Sequence, residues 1–287
     1  IVRNKDKLSL EKWKYINGKG ENQSSLDFQK TKLKVNPSNS NVRKFIKIQS
    51  GCNHSCTFCI IPTCRGNSIS EETSNINKDI TGYIEKGVKE VILTGVDITS
   101  WGEDFNLPLT LGDLVEDIFK NNKNLKRLRL SSIDVAEFDD KFLYLLKNEK
   151  RLMPHFHFSL QSLDDMVLKR MKRRHDVSQV IRLFEKIREA SPYVTFGADF
   201  ITGFPTETNE MFLNTLELVK KLKISHLHVF PYSAKIGTPA SKMPQVPIEV
   251  RRERSKTLRR LGQENFLEIL HKFLQKKQEV LIEDDRE

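Results

Sequence analysis

Six segments with strand composition recur along this chain, and a helical segment follows each of the first five. The strands read KFIKIQ (44–49), EVILTG (90–95), LKRLRLS (125–131), HFHFSLQ (155–161), VTFGADFITG (194–203) and SHLHVFPYS (225–233). Each is rich in β-branched residues, Leu or Phe. The helical segments are SEETSNINKDITGYIEKG, LGDLVEDIFKNN, DDKFLYLLKNE, DVSQVIRLFEKIREA and NEMFLNTLELVKKL. In the last, Phe212, Leu216 and Val219 fall at i, i+4 and i+7, one face of a helix. This alternation leaves few topologies: repeated right-handed β-α units over a parallel sheet. The strand ends favour a partial barrel over an open doubly wound sheet. They read SGC (50–52), TGV (94–96), SSID (131–134), LQS (160–162), TGFP (202–205) and PYSAKIG (231–237). All are small, polar or Gly-bearing, as expected where a barrel keeps its site at the C-terminal ends of its strands; ordinary turns draw on the same residues. The expected fold class is α/β, a partial (β/α)6 TIM-like barrel.

Around this core the composition changes. Residues 1–16 read as a strand end or loop and a short helix, and 17–41, rich in Asn, Ser and Lys, as a linker or surface loop. The barrel is expected over 42–246. A charged helical stretch over 247–278 is expected as one helix or as two broken near Gly262, and EVLIEDD (279–285) as an opening strand. The first residue is Ile1, so a longer parent protein is expected. The formal charge of +10 and a pI near 9.3 suit a polyanionic partner, nucleic acid first, although a basic enzyme would share them. No apolar run is long enough for a bilayer span, and no secretory signal precedes the core. A cytoplasmic, monomeric protein with no membrane partner is expected.

All four cysteines lie in GCNHSCTFCIIPTCRG (51–66). In a chain of this length such a cluster reads as metal ligands in a reducing compartment rather than a disulfide framework. The spacing Cys52-x3-Cys56-x2-Cys59 lacks the distant second pair of a structural zinc site. Three thiolates on one loop suit a 4Fe–4S cube with one iron left open for chemistry. Cys64 could supply a fourth ligand by spacing alone, but it would close that iron, so it is assigned a spectator role.

The cysteine loop after a first strand resembles the radical S-adenosylmethionine superfamily, and within it the methylthiotransferases. The later blocks HFSLQSLDDMVLKRMKRRH, DFITGFPTET and HVFPYSAKIGTPA are similar to the same family, over roughly 42–260. LTGVDITSWGEDF resembles the branch acting on threonylcarbamoyladenosine beside the tRNA anticodon. The isopentenyladenosine and ribosomal-protein branches are the alternatives; a non-catalytic zinc or RNA-binding module is the alternative of another class. The resemblance implies that Cys52, Cys56 and Cys59 bind three irons. The fourth iron would chelate S-adenosylmethionine, whose reductive cleavage would give a deoxyadenosyl radical. It implies flavodoxin or ferredoxin as electron donor, and a second 4Fe–4S cluster as sulfur source. That cluster would sit in a preceding methylthiotransferase domain, of which 1–16 would be the tail. An RNA-binding domain would begin at 279–287.

The resemblance also implies cofactor contacts. Phe58 would pack beside the adenine or within its own loop. Thr94, Gly95 and Val96 would offer carbonyls to the amino group. Ser131, Gln161 and Asp199 would meet the ribose and methionine parts, and Gly203 would let the chain pass near the adenine. Glu207 could equally cap the next helix. His155 and His157 share one strand face; hydrogen bonding in the lumen is favoured over metal ligation. The basic runs KRMKRRH (169–175) and RRERSKTLRR (251–260) are solvated helix faces or tRNA contacts.

Overall fold

The computed structural model describes residues 42–282. Six parallel strands carry the architecture: β1 (Arg43–Lys47), β4 (Glu90–Thr94), β5 (Arg127–Leu130), β6 (His155–Gln161), β7 (Thr195–Thr202) and β8 (His226–Pro231). They form two parallel sheets, β1-β4-β5 and β6-β7-β8. The sheets adjoin through the parallel bridges Leu128–Leu152 and Ile133–Phe158. Spatial order therefore follows chain order. Among the described residues β1 and β8 do not pair, so the barrel is incomplete, as the alternation of elements predicts.

Helices wrap the outside: α1 (Ile61–Arg65), α2 (Thr73–Glu85), α3 (Leu111–Asn121), α4 (Asp140–Asn148), α5 (Asp165–Met171), α6 (Val177–Ala190), α7 (Asn209–Lys221) and α8 (Ile248–Phe273). Their starts are written locally. Thr110 with Asp113, and Asp176 with Gln179, form capping boxes. Asp139, Asp164 and Thr208 cap α4, α5 and α7 through their side chains. Glu207 therefore does not cap α7.

The period-2 alternation of β6 shows how the barrel is sided. Phe156, Phe158 and Leu160 are buried under the helices; Phe156 packs on Phe142 of α4, and Phe158 on Phe184 of α6. Removing each such ring from water is worth about 2–3 kcal/mol. His155, His157, Ser159 and Gln161 face the lumen, half-buried.

Several expectations change. The first strand stops at Lys47, and Gln49–Ser50 (β2) turns aside to pair antiparallel with Ile69–Ser70 (β3). α1 and α5 are additional helices. α8 is continuous through Gly262: a Cβ there would lie 2.8 Å from Leu227 Cγ and Cδ1, so this glycine admits β8 rather than breaking the helix. Residues 279–282 are neither helix nor strand, and 1–41 and 283–287, with the expectations placed on them, lie outside the described residues. No described helix is long and apolar enough to cross a membrane.

Candidate active site at the strand ends

The cysteine loop lies across the C-terminal ends of the strands, and its contacts reach most of them. Thr57 is its buried anchor: its N–H and hydroxyl donate to the carbonyls of Met171 (3.1 Å) and Arg170 (2.8 Å), and its carbonyl accepts from Ala240 N (3.0 Å). That ties the loop to α5 and to the segment after β8. Phe58 meets Phe204, after β7, edge to face at 6.5 Å. Cys52 Sγ lies 3.7 Å from Asp97 Oδ2, after β4.

Each of the three expected ligands has one N–H aimed at its sulfur. His54 N donates to Cys52 at 3.4 Å, Ile61 N to Cys59 at 3.4 Å, and Arg173 Nη1 to Cys56 at 3.6 Å. All three thiols are half-buried. Burial, with Asp97 alongside, pushes the Cys52 thiol up to about 12, and burial also raises Cys59. A bound cation would reverse that, since metal-bound thiols deprotonate. N–H donors on each sulfur suit thiolates holding a cluster. Cys64, in contrast, is exposed on α1, with no donor on its sulfur among the described residues. A mixed set of Cys52, His54 and Asp97 also brings its ligand atoms within 4.8 Å of one another. Here His54 Nε2 already lies 2.6 Å from Asp97 Oδ2.

Arg173 is the hinge of a buried network. Its Nη2 contacts Asp134 Oδ2 at 2.6 Å and Ser159 O at 2.7 Å. Burial works to raise the Asp134 pKa, but His175, 3.6 Å away, and the charge of Arg173 outweigh it and hold the carboxyl well below its usual range. Arg174 pairs with Glu137, and Ser100 Oγ bridges Asp97 (2.9 Å) and Glu137 (3.2 Å).

The expected cofactor residues fall around this loop. The Thr94 carbonyl already accepts Ile48 N at 2.9 Å, whereas the carbonyls of Gly95 and Val96 accept no hydrogen bond among the described residues. Gly95 is required by packing: a Cβ would lie 2.9 Å from Gln49 O. Ser131 continues β5, its N–H donating to Leu93 O at 2.9 Å. Gln161 ends β6 with φ at 68°, an uncommon value for a side-chain-bearing residue, and such strain clusters at functional sites. Asp199 is held by His157 Nε2 (3.0 Å) and His228 Nδ1 (3.1 Å), with the hydroxyls of Ser132 and Ser159 at 3.4 and 3.5 Å. His155 Nδ1 meets Thr195 Oγ1 at 2.8 Å, so both strand histidines hydrogen-bond in the lumen as expected. Gly203 (φ 66°) faces α8: a Cβ would lie 2.4 Å from Arg251 Cγ. Its N–H donates to both oxygens of Glu207, which pairs with Arg254 at 2.6 Å.

The basic runs turn largely inward. Arg170 donates to Thr206 O, Arg173 and Arg174 join the carboxylate network, and His175 is buried. In the second run Arg251 donates to Tyr232 O, Arg254 to Glu207 and Arg259 to Val229 O. Most of the charge read as a nucleic-acid face therefore binds the barrel itself.

Sequence reasoning missed Gln49, Asp97, Asp134, Arg173 and His228. Gln49 is buried, and its amide joins four partners. Nε2 donates to Gly51 O and Ser68 Oγ, both at 2.8 Å; Oε1 accepts from Val96 N at 3.0 Å and Asp97 N at 2.9 Å. Its only signal in the sequence is a polar residue closing an apolar strand.

Comparison with known proteins agrees with this geometry. The chain is 49% identical to a threonylcarbamoyladenosine tRNA methylthiotransferase of Rickettsia prowazekii over 243 residues, 85% of this chain and 58% of that protein. It is 34% identical to a tRNA-2-methylthio-N(6)-dimethylallyladenosine synthase of Geobacillus thermodenitrificans over 247 residues, 85% of this chain and 47% of that protein. The chain thus spans about half the length of the curated relatives it matches. Among solved structures, coproporphyrinogen III oxidase of Escherichia coli, described as a Radical SAM enzyme, superposes with a TM-score of 0.57 at 17% identity; the match covers 78% of this chain and 52% of that one. The Radical SAM superfamily model matches residues 46–219, from the first strand through the cysteine loop to α7. That match takes in well over half the chain and every half-buried thiol of the loop, and the chain belongs to the Radical SAM superfamily.

Proposed function

We propose that this chain is the radical-generating core of a tRNA methylthiotransferase acting on threonylcarbamoyladenosine. The observation that carries the reading is the three-thiol loop with one N–H on each sulfur, set among relatives of which the threonylcarbamoyl enzyme stands at 49% identity and the dimethylallyl enzyme at 34%. Cys52, Cys56 and Cys59 would hold a 4Fe–4S cluster, which supplies the electron for reductive cleavage of S-adenosylmethionine.

The chain's own residues do the rest. Arg173 places a positive charge on the Cys56 sulfur, and Asp134 fixes the guanidinium that does so. The carbonyls of Gly95 and Val96 are open to an ammonium group. Asp199, oriented by His157 and His228 at Oδ1 and by the hydroxyls of Ser132 and Ser159 at Oδ2, is the carboxylate that ribose hydroxyls would meet. Phe58, next to Cys59 in the chain, packs edge to face on the buried Phe204 and gives the loop an apolar side. Ser131, Gln161 and Thr94 complete the cofactor side. A sulfur-donating second cluster finds no ligands in this sequence, whose cysteines all lie between 52 and 64. On this reading it comes from protein outside these residues. The setting is the cytoplasm, with a monomer reduced by a flavodoxin or ferredoxin and binding the anticodon loop of tRNA.

The test is anaerobic. The reconstituted chain is reduced with dithionite in the presence of S-adenosylmethionine, and deoxyadenosine and methylthiolated nucleoside are followed together. The reading expects brown iron-bound protein and deoxyadenosine, without thiolated product from this chain alone. Stoichiometric zinc in place of iron, with no deoxyadenosine, would establish the structural-module alternative instead.

A further inference from the structure

Glu90 opens β4 on the lumen side, fully buried, and three guanidiniums share it. Arg43 Nε lies 2.6 Å from Oε1, and the Nε atoms of Arg127 and Arg129 each lie 2.9 Å from Oε2. Arg127 and Arg129 share one oxygen of that carboxylate, two cations on one anion, and charge in excess is costly away from bulk water unless it is paired. Arg127 and Arg129 spend only Nε on Glu90. Among the described residues their Nη groups make no hydrogen bond, and the two side chains keep 16% and 28% of their surface open. Planar guanidinium forks in this state fit a bidentate oxyanion.

Neighbouring groups do not supply one. Asp199 is engaged by His157 and His228. His155 is held neutral, its pKa pushed down to about 3 by burial and by the nearby histidines and Arg129. The layer also carries an aromatic face: the register runs Phe45–Ile92–Arg129, and the Phe45 ring is 65% exposed. Arg129 lies two residues below Ser131 at the strand end, about 7 Å along β5. A group reaching down from the site would meet it.

We infer that the Nη forks of Arg127 and Arg129 receive an oxyanion carried by the substrate. Resting on the function proposed above, this oxyanion is the threonyl carboxylate of the modified base, with Phe45 offering a ring face to the purine. A dimethylallyl arm brings no charge and would leave both forks unpaired, so these arginines would select between the two kinds of modified adenosine. The other source of the same chemistry is a backbone phosphate of the RNA.

The test measures binding of the whole, cluster-loaded protein to four anticodon stem-loop RNAs. They carry threonylcarbamoyladenosine, its carboxamide analogue, isopentenyladenosine or plain adenosine. Wild type is expected to prefer the carboxylate over the carboxamide by on the order of ten-fold, the scale of a charge-assisted pair. Arg129→Gln should erase that preference while leaving plain RNA binding unchanged; Arg129→Lys should restore part of it. If Arg129→Gln lowers the melting temperature, Arg127→Gln, which leaves Glu90 paired with Arg43 and Arg129, carries the same comparison. A carboxylate preference that survives in Arg127→Gln and Arg129→Gln overturns this inference alone. Equal loss of binding to all four RNAs in the variants places a phosphate on the forks and overturns it too. Preference of wild type for the isopentenyl RNA overturns the functional reading and this inference with it.

Discussion

Gln49→Leu is the substitution that most directly probes how the site is assembled. Gln49 is 1% exposed, and its amide carries four hydrogen bonds between the start of the cysteine loop, Ser68 and the turn after β4. Leucine fills much the same volume, so little cavity forms, and the loss is of hydrogen bonding. Gly51 O, Ser68 Oγ, Val96 N and Asp97 N each lose a partner. A buried polar group left unpaired costs about 1–3 kcal/mol. At the low end the four together amount to about 4 kcal/mol. For a unit of this size each kcal/mol moves the melting temperature by about 2–4 °C, so a fall of about 8–16 °C is expected. The same bonds hold Gly51 beside Cys52 and Asp97 beside the thiol, so iron uptake should fall with stability. Thermal melts of the apo chain, with iron and sulfide analysis after reconstitution, measure both. A Gln49→Leu protein that melts within about 2 °C of wild type and takes up full iron would refute the account of this amide as the organiser of the site.

Two further substitutions separate roles within the site. Cys56→Ala should abolish cluster binding, because two thiolates do not hold the cube, while Cys64→Ala should leave iron content near that of wild type; equal loss in both would show the ligand set to be wrong. Thr206 sits at φ 67°, which disfavours a β-branched residue, and its Oγ1 is buried without a partner. Relief of strain of about 1–3 kcal/mol, less the entropy cost of glycine of about 0.5–1 kcal/mol, makes Thr206→Gly stabilising by about 1 kcal/mol. A melting temperature that fell in this variant would mean that Thr206 is held by contacts rather than tolerated.

The strands and principal helices could be read from the chain because their signals are local. Alternating Phe and His in HFHFSLQ place one face under the helices and one in the lumen, and Thr110, Asp139, Asp176 and Thr208 mark helix starts by their own side chains. What could not be read depends on partners distant in sequence. Gly262 looks like a helix break until Leu227 is set against it, and the close approach of Arg251 that bars a side chain at Gly203 is equally invisible in the sequence. KRMKRRH looks like an RNA-binding face, yet Arg173 finds Cys56 and Asp134, residues 117 and 39 positions away. Gln49 carries no motif at all; its importance lies in being the one amide placed between two turns that the strand order brings together. The cysteines are the reverse case, because their grouping in one short loop is visible in the sequence itself.

The account's central claim is tested most directly by mass analysis of tRNA nucleosides from cells lacking this protein. The account predicts that the 2-methylthio form of threonylcarbamoyladenosine disappears, that unthiolated threonylcarbamoyladenosine accumulates in its place, and that methylthiolated isopentenyladenosine is unchanged. Loss of the methylthio mark from isopentenyladenosine instead, or an unaltered nucleoside profile, would contradict it.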